Sequence, residues 1–315
     1  MKFLLELRKP YLNVSFSPDR HTQARVIERP GLWMTESQQL ELIQDLRRVF
    51  LSLGIGMVDY GLFKGTKQAL DSCVITLIYD RNSMEPIAFN VMTLMPCFLK
   101  GKTQMVVHLG LVSVNPNFRA KGFSWVLYGF TTFLLFLKNR FKPIWISNVT
   151  QVPAIIGMVS ESFVNVFPNP KFSSRRSFDH LALAREIMGK YRFVFGVSED
   201  AEFDEEDFVI RNAYTGGSDN LKKTYEQAPK HRSELYNEFC HQHLDYVRGD
   251  DFLQLGQIDL MAYYNYIIRL IPSGSALVTF YRILFGLFRL SLVPLIQWFS
   301  TGKQFGVLRP RKTNT

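Results

Sequence analysis

The residues of this chain best suited to chemistry lie between His108 and Ser124. Val112-Ser113-Val114-Asn115-Pro116-Asn117-Phe118-Arg119-Ala120-Lys121-Gly122-Phe123-Ser124 is a basic, glycine-bearing turn with an apolar run on each side. Before it, His108-Leu109-Gly110-Leu111-Val112 is short and apolar enough to be a buried strand. After it, Trp125-Val126-Leu127-Tyr128 opens a helical pattern that runs to about Lys138. A strand, such a turn and a helix N-terminus together make an anion site. Successive backbone N–H groups converge on one point, and the helix dipole adds positive potential there. Gly122 permits close backbone approach, while Arg119 and Lys121 add charge. The hexamer alone is equally compatible with an ordinary strand–turn–helix connection.

The surrounding elements would position that turn. Residues 35–53 form an amphipathic helix with Leu40, Leu42, Ile43, Leu46, Val49 and Phe50 at helical spacing, Thr35 as N-cap and Gly54 as the stop. Residues 74–79 and 86–92 read as strands joined by a polar hairpin turn at 80–85. Downstream come a strand at 143–147, a helix from Pro153 to about Ser162, and a strand at 163–167. The first 34 residues, with Pro10, Pro18 and Pro30, read as an extended arm.

Arg119-x-x-Gly122-x-Ser124 is similar to the acyl-CoA pyrophosphate loop of the GNAT N-acyltransferase superfamily, (Gln/Arg)-x-x-Gly-x-(Gly/Ala). The lead-in Val114-x-Pro116-x-Phe118 matches as well, and the order of elements over residues 35–170 is the order of that superfamily's core. The resemblance implies an α/β (α+β) fold, a mixed and mostly antiparallel sheet flanked by helices. It implies acyl-CoA, or an acyl-carrier protein, as donor and an amine as acceptor. The pyrophosphate would sit on Arg119, Ala120, Lys121, Gly122, Phe123 and Ser124. The pantetheine would pair with main chain at Leu111, Val112 and Val114. His108 stands eleven residues before Arg119, where the histone acetyltransferase branch places its glutamate base. Imidazole needs little pKa tuning for that role, and a histidine hydrogen-bonded in the core is the other reading. Many relatives place a proton-donating tyrosine after the fifth strand. The overlay here is Gln151, Ala154, Met158, Ser162 and Phe163, which puts Met158 at the tyrosine position. Methionine has no proton to give. Either the thiolate leaves unaided, or Ser160 or Tyr128 substitutes, or the fold has lost its chemistry. The apolar segment 151–163 suits a long acyl chain or simple burial alike.

Other chemistries find less footing. His241-Gln242-His243 sits on a helical pattern, where residues two apart cannot share one ion, so no metal is expected. There is no Gly-x-Ser-x-Gly elbow, P-loop or dinucleotide fingerprint. The three cysteines, Cys73, Cys97 and Cys240, make no framework, which fits a reducing compartment. Seven carboxylates within residues 199–207 read as a solvated loop. The net charge of +9 is dispersed, which argues against nucleic acid as the partner.

Residues 276–299 hold two charges, Arg282 and Arg289, in an otherwise apolar run. On insertion scales its apolar residues contribute roughly −6 kcal/mol and the arginines roughly +5 to +7, so hydropathy does not decide a span. The arginines are seven apart and share a helical face. That describes a helix lying in the membrane interface, with Lys303, Arg309, Arg311 and Lys312 as a basic tail. A single span, or a buried core or oligomer helix, are the other readings. The expected organisation is an arm (1–34), a GNAT-like core (35–197), an α+β extension (198–270) that closes over the acceptor side, and a membrane-seeking helix with tail (271–315). The expected function is acyl transfer to an amine at the cytoplasmic side of a membrane, with a lipophilic donor or acceptor and an anionic surface bound through 276–312. The alternative is a catalytically silent protein of the same fold serving as a scaffold there.

Overall fold

The computed structural model describes residues 6–54, 56, 61–119, 121–171, 175–216, 219–264 and 276–298. Its frame is one mixed sheet in the order β1 (Asn13–Phe16), β2 (Thr22–Glu28), β3 (Cys73–Asp80), β4 (Pro86–Leu99), β5 (Lys102–His108), β7 (Ile144–Thr150), β11 (Asp251–Ile258), β10 (Val209–Arg211) and β9 (Glu202–Asp204), with β6 (Val112–Val114) on β4 and β8 (Val164–Phe167) on β11. The central strand β4, Pro86–Leu99, is almost continuously apolar because helices cover both of its faces. Its odd-numbered residues Phe89, Val91, Met95, Cys97 and Leu99 lie under α1 (Glu36–Leu51) and α4 (Phe178–Lys190). Its even-numbered Met92 and Leu94 lie under α2 and α3. Helix α2 joins a π-wound start, Trp125–Phe130, to Thr131–Lys138, and α3 is Pro153–Ser162.

The helices and strands expected between residues 35 and 167 follow in the expected order. Thr35 caps α1 in a capping box with Gln38, and Gly54 follows with φ +72°. Strands β3 (Cys73–Asp80) and β4 meet at a turn in which the Asp80 carboxylate accepts from the Asn82 and Ser83 N–H groups. Strand β7 (Ile144–Thr150), α3 with Pro153 in its first turn, and β8 (Val164–Phe167) follow.

Two expectations are corrected. The N-terminal arm contains a hairpin, β1 (Asn13–Phe16) and β2 (Thr22–Glu28), which adds to the sheet through β2–β3 pairing. Its prolines bound the strands rather than interrupt them, as proline's missing N–H requires. The acidic run contains an edge strand, β9 (Glu202–Asp204), and three of its carboxylates are paired. Arg185 grips Glu205 through two bonds of 2.8 and 2.6 Å, and Arg211 reaches Glu202 and Asp204. The apolar run at 252–255 becomes β11 (Asp251–Ile258), inserted between β7 and β10.

The C-terminal helix α6 runs over residues 276–298 with a π-wound turn at Phe288–Leu292. It touches the body through Phe285 on Tyr264 (4.2 Å) and Phe288 on Phe141 (5.8 Å). Phe280, Ile283, Leu284, Leu287, Leu290 and Leu295 are exposed, which rules out a buried core helix within this chain. Among the described residues no helix is long and apolar enough to cross a membrane. The basic tail 303–312 lies outside the described residues.

Candidate functional site

The site is built where two parallel strands part. Strand β5 (Lys102–His108) pairs with β7 in parallel over Val106–Trp145, Val107–Ile146 and His108–Ser147. A last bond, from the Leu109 N–H to the Ser147 carbonyl, closes that contact at 2.8 Å. Beyond it the chain belongs to β4 alone as β6 (Val112–Val114), while β7 continues against β11. The strand expected across 108–112 is therefore broken by a bulge at 109–111. Gly110 explains it: a Cβ there would stand 2.3 Å from the Val91 carbonyl oxygen.

The bulge decides which main-chain groups face the gap. The Leu111 carbonyl accepts from Val91, Ser113 pairs with Phe89, and the Asn115 N–H donates to Ile87. Alternation along the strand then turns the N–H and C=O of Val112 and Val114 toward the gap. Val112 and Val114 thus present main-chain groups on the side away from β4, whereas the Leu111 carbonyl is taken up by the Val91 N–H.

The glycine-bearing turn follows β6 in the chain. Gly122 has φ +75° with nothing within 4 Å of a Cβ, so its backbone is open to a ligand. Arg119 and Lys121 are exposed, with the Lys121 ammonium 4.5 Å from the Phe118 ring centre. Phe123 is 6% exposed and anchors the turn in a core with Val126 and Leu127. Ala120 lies outside the described residues.

At the lower end stands His108, 4% exposed, with Nδ1 3.0 Å from the Ser147 hydroxyl and its ring 5.4 Å from that of Phe195. Burial pulls its pKa down to about 4, so the imidazole is neutral at pH 7 and ready to accept a proton, though it is a weak base. The two substitute proton donors separate. Tyr128 shares a cavity with Met158, and burial raises its pKa. Ser160 is two residues from Met158, on another side of α3, where its hydroxyl accepts from Gln254 at 3.2 Å. That contact belongs to a buried amide network including Asn148, so Ser160 is a packing residue.

Two cavities lie on opposite faces of the sheet, and one of them touches the bulge. On the α1 and α4 face a cleft of about 920 Å³ has Gly110 and Leu111 at its floor. Thr66, Ser72, Thr93, Lys190, Ser198 and Glu199 give it a polar wall. The Arg192 guanidinium shapes one side by donating to the carbonyls of Met188, Ser198 and Ala201. From the C-terminal extension, Ser198, Glu199 and Gly216 line this cleft. The cleft draws on segments far apart in sequence, so no local pattern announced it. On the other face an apolar cavity of about 300 Å³ lies between α2 and α3. Among the described residues no three metal-ligating side chains cluster.

The chain resembles parts of several solved structures. One is AAC(6')-Iy in complex with the bisubstrate analog CoA-S-monomethyl-acetylneamine, at 18% identity over 38% of this chain and 74% of the other, with a TM-score of 0.28. Another is the ribosomal-protein-S5-alanine acetyltransferase of Vibrio fischeri, at 17% identity over 42% and 73%, TM-score 0.29. A third is a GNAT family acetyltransferase of Staphylococcus aureus, at 18% identity over 38% and 81%, TM-score 0.27. No family model matches the chain, and no curated protein matches it in sequence.

Proposed function

We propose that the chain is an acyl-CoA-dependent N-acyltransferase working at the cytoplasmic face of an anionic membrane. The observation that supports this reading is the gap between β6 and β7, with a basic, glycine-bearing turn following β6 and a cleft that reaches Gly110 and Leu111. In it the donor pyrophosphate rests on residues 119–124, and the pantetheine pairs with Val112 and Val114. The thioester then lies near Gly110. An amine from the polar cleft attacks the carbonyl carbon, the C–N bond forms and the C–S bond breaks. The amine's surplus proton passes to His108, and the CoA thiolate leaves with a proton from Tyr128 or from water. An acyl-carrier protein is the alternative donor.

Release of free thiol from acetyl-CoA in the presence of a panel of amines tests the reaction. His108→Gln is expected to lower kcat by about 100-fold. The acid limb of the wild-type kcat/KM profile is expected near pH 4, where burial has placed the imidazole, instead of near 6.5. Saturable acyl-CoA binding without turnover on any amine would instead establish the silent scaffold, which Met158 at the family's tyrosine position favours.

The membrane part rests on α6, where Phe280, Ile283, Leu284, Leu287, Leu290 and Leu295 and the two arginines, Arg282 and Arg289, are exposed. In the interface the leucines and isoleucines enter the acyl boundary and the arginines meet lipid phosphates. Reversing both charges (Arg282→Glu with Arg289→Glu) is expected to weaken sedimentation with phosphatidylserine vesicles at least about tenfold. Unchanged sedimentation would remove the membrane from the reading.

A further inference from the structure

We infer that the apolar cavity between α2 and α3 is a binding site for an aliphatic chain carried by a substrate. The inference rests on the acyltransferase reading for the source of that chain. The cavity holds about 300 Å³, or about ten water volumes at ~30 Å³ each. It starts at Ser124, the last residue of the anion turn, and reaches Phe133 on the same helix. Nine residues of helix give it a length of about 13 Å.

Its wall has little to offer a polar ligand. Phe130, Phe133, Met158, Phe163 and Ile258 supply most of the surface. Two of its hydroxyls are already engaged: Tyr263 donates to the Thr132 hydroxyl at 3.2 Å, and Thr132 donates to the Tyr128 carbonyl at 2.8 Å. A dry apolar cavity of this kind takes hydrocarbon in preference to water. Met158 suits the same task, since a flexible thioether adapts to chains of different length. The methionine that replaces a proton donor in the family pattern thus gains a positive role.

Gly129 supplies an independent mark. It lies within a helix, where glycine is disfavoured relative to alanine, yet it lines the cavity. A Cβ built there meets nothing within 4 Å. The gap in the wall is therefore not required by packing; it enlarges the cavity. The π-wound turn at Trp125–Phe130 widens the same wall, a feature that recurs at ligand sites.

The test is calorimetric titration of the full chain with acetyl-CoA, octanoyl-CoA, octanoate and octylamine, for wild type, Gly129→Ala and Gly129→Leu. Each buried methylene strengthens binding about fourfold. Octanoyl-CoA is therefore expected to bind wild type at least about tenfold tighter than acetyl-CoA. Gly129→Leu is expected to erase that preference while keeping acetyl-CoA affinity, and Gly129→Ala to reduce it partway. Equal affinity for the two esters in wild type, or an undiminished preference in Gly129→Leu, overturns the chain site and leaves the acyltransferase reading standing. If no CoA ester binds, but octanoate or octylamine does and Gly129→Leu abolishes it, the chain site stands and the donor reading falls. Octylamine bound more tightly than octanoate then assigns the chain to the acceptor. Binding of none of the four overturns both.

Discussion

Replacing Arg119 by alanine and Gly122 by aspartate together is expected to raise the Kd for CoA at least about 100-fold. A charge-assisted hydrogen bond is worth about 1.5–3 kcal/mol, and under the proposed function the exposed Arg119 guanidinium makes one with a donor phosphate. The aspartate adds a negative charge where converging N–H groups and a helix N-terminus would otherwise meet an anion. Together these amount to about 3–4 kcal/mol, or two to three orders of magnitude in Kd. The unliganded protein tolerates the change. Arg119 is exposed, and Gly122 has free space around its Cβ direction. Its φ of +75° charges the aspartate about 1 kcal/mol of left-handed strain, which corresponds to a fall of about 2–4 °C in Tm. Titration calorimetry with CoA, alongside a melting curve without it, separates the two effects. Unchanged CoA affinity would reduce the turn to an ordinary connection and pass the reading to the scaffold.

The second large effect concerns stability and pH. Asp251 is 5% exposed at the start of β11, and burial pushes its pKa up to about 7 despite the hydrogen bond donated by the Tyr214 hydroxyl. Its folded pKa lies above its unfolded value. Between about pH 4 and 7 the folded chain therefore holds a proton that the unfolded chain has lost, and stability falls across that window as pH rises. Above pH 7 the contribution is flat, and the whole cost is of order 4 kcal/mol. His108, whose folded pKa is depressed to about 4, acts oppositely over an overlapping range and gains stability as pH rises toward 6.5. The total curve mixes the two, so the difference between variants is the useful quantity. Asp251→Asn keeps an acceptor for Tyr214 and removes the titration. Urea unfolding is expected to give equal stability for the two proteins at pH 4, and a more stable variant by a few kcal/mol at pH 8. Parallel curves would show that Asp251 reaches water or a cation when charged.

The anion turn was legible in sequence because everything it needs is contiguous. Strand end, Gly122 and helix start follow one another, and local backbone preferences alone shape them. The capping box of Thr35 and Gln38 is local in the same sense. Gly110 also carried a readable signal, since a glycine inside a strand pattern marks a bulge. That signal would have withdrawn Leu111 from the donor contacts.

Other features required distance to be folded away. The polar cleft gathers Thr66, Thr93, Lys190 and Ser198, whose separations leave no periodicity to read. The partner of His108 is Ser147, brought alongside by the β5–β7 register. Ser160 and Tyr128 were equal candidates in sequence, and only the packing of α3 on β11 turned one toward Gln254. By itself the sequence determined the order of elements, the turn and the helix caps, because these depend on neighbouring φ/ψ choices and on hydrophobic periodicity. The tertiary structure alone decided where β11 inserts, where the parallel strands part and which side chains share a cavity. Those outcomes depend on burying apolar faces contributed by residues a hundred positions apart, and no local preference encodes them.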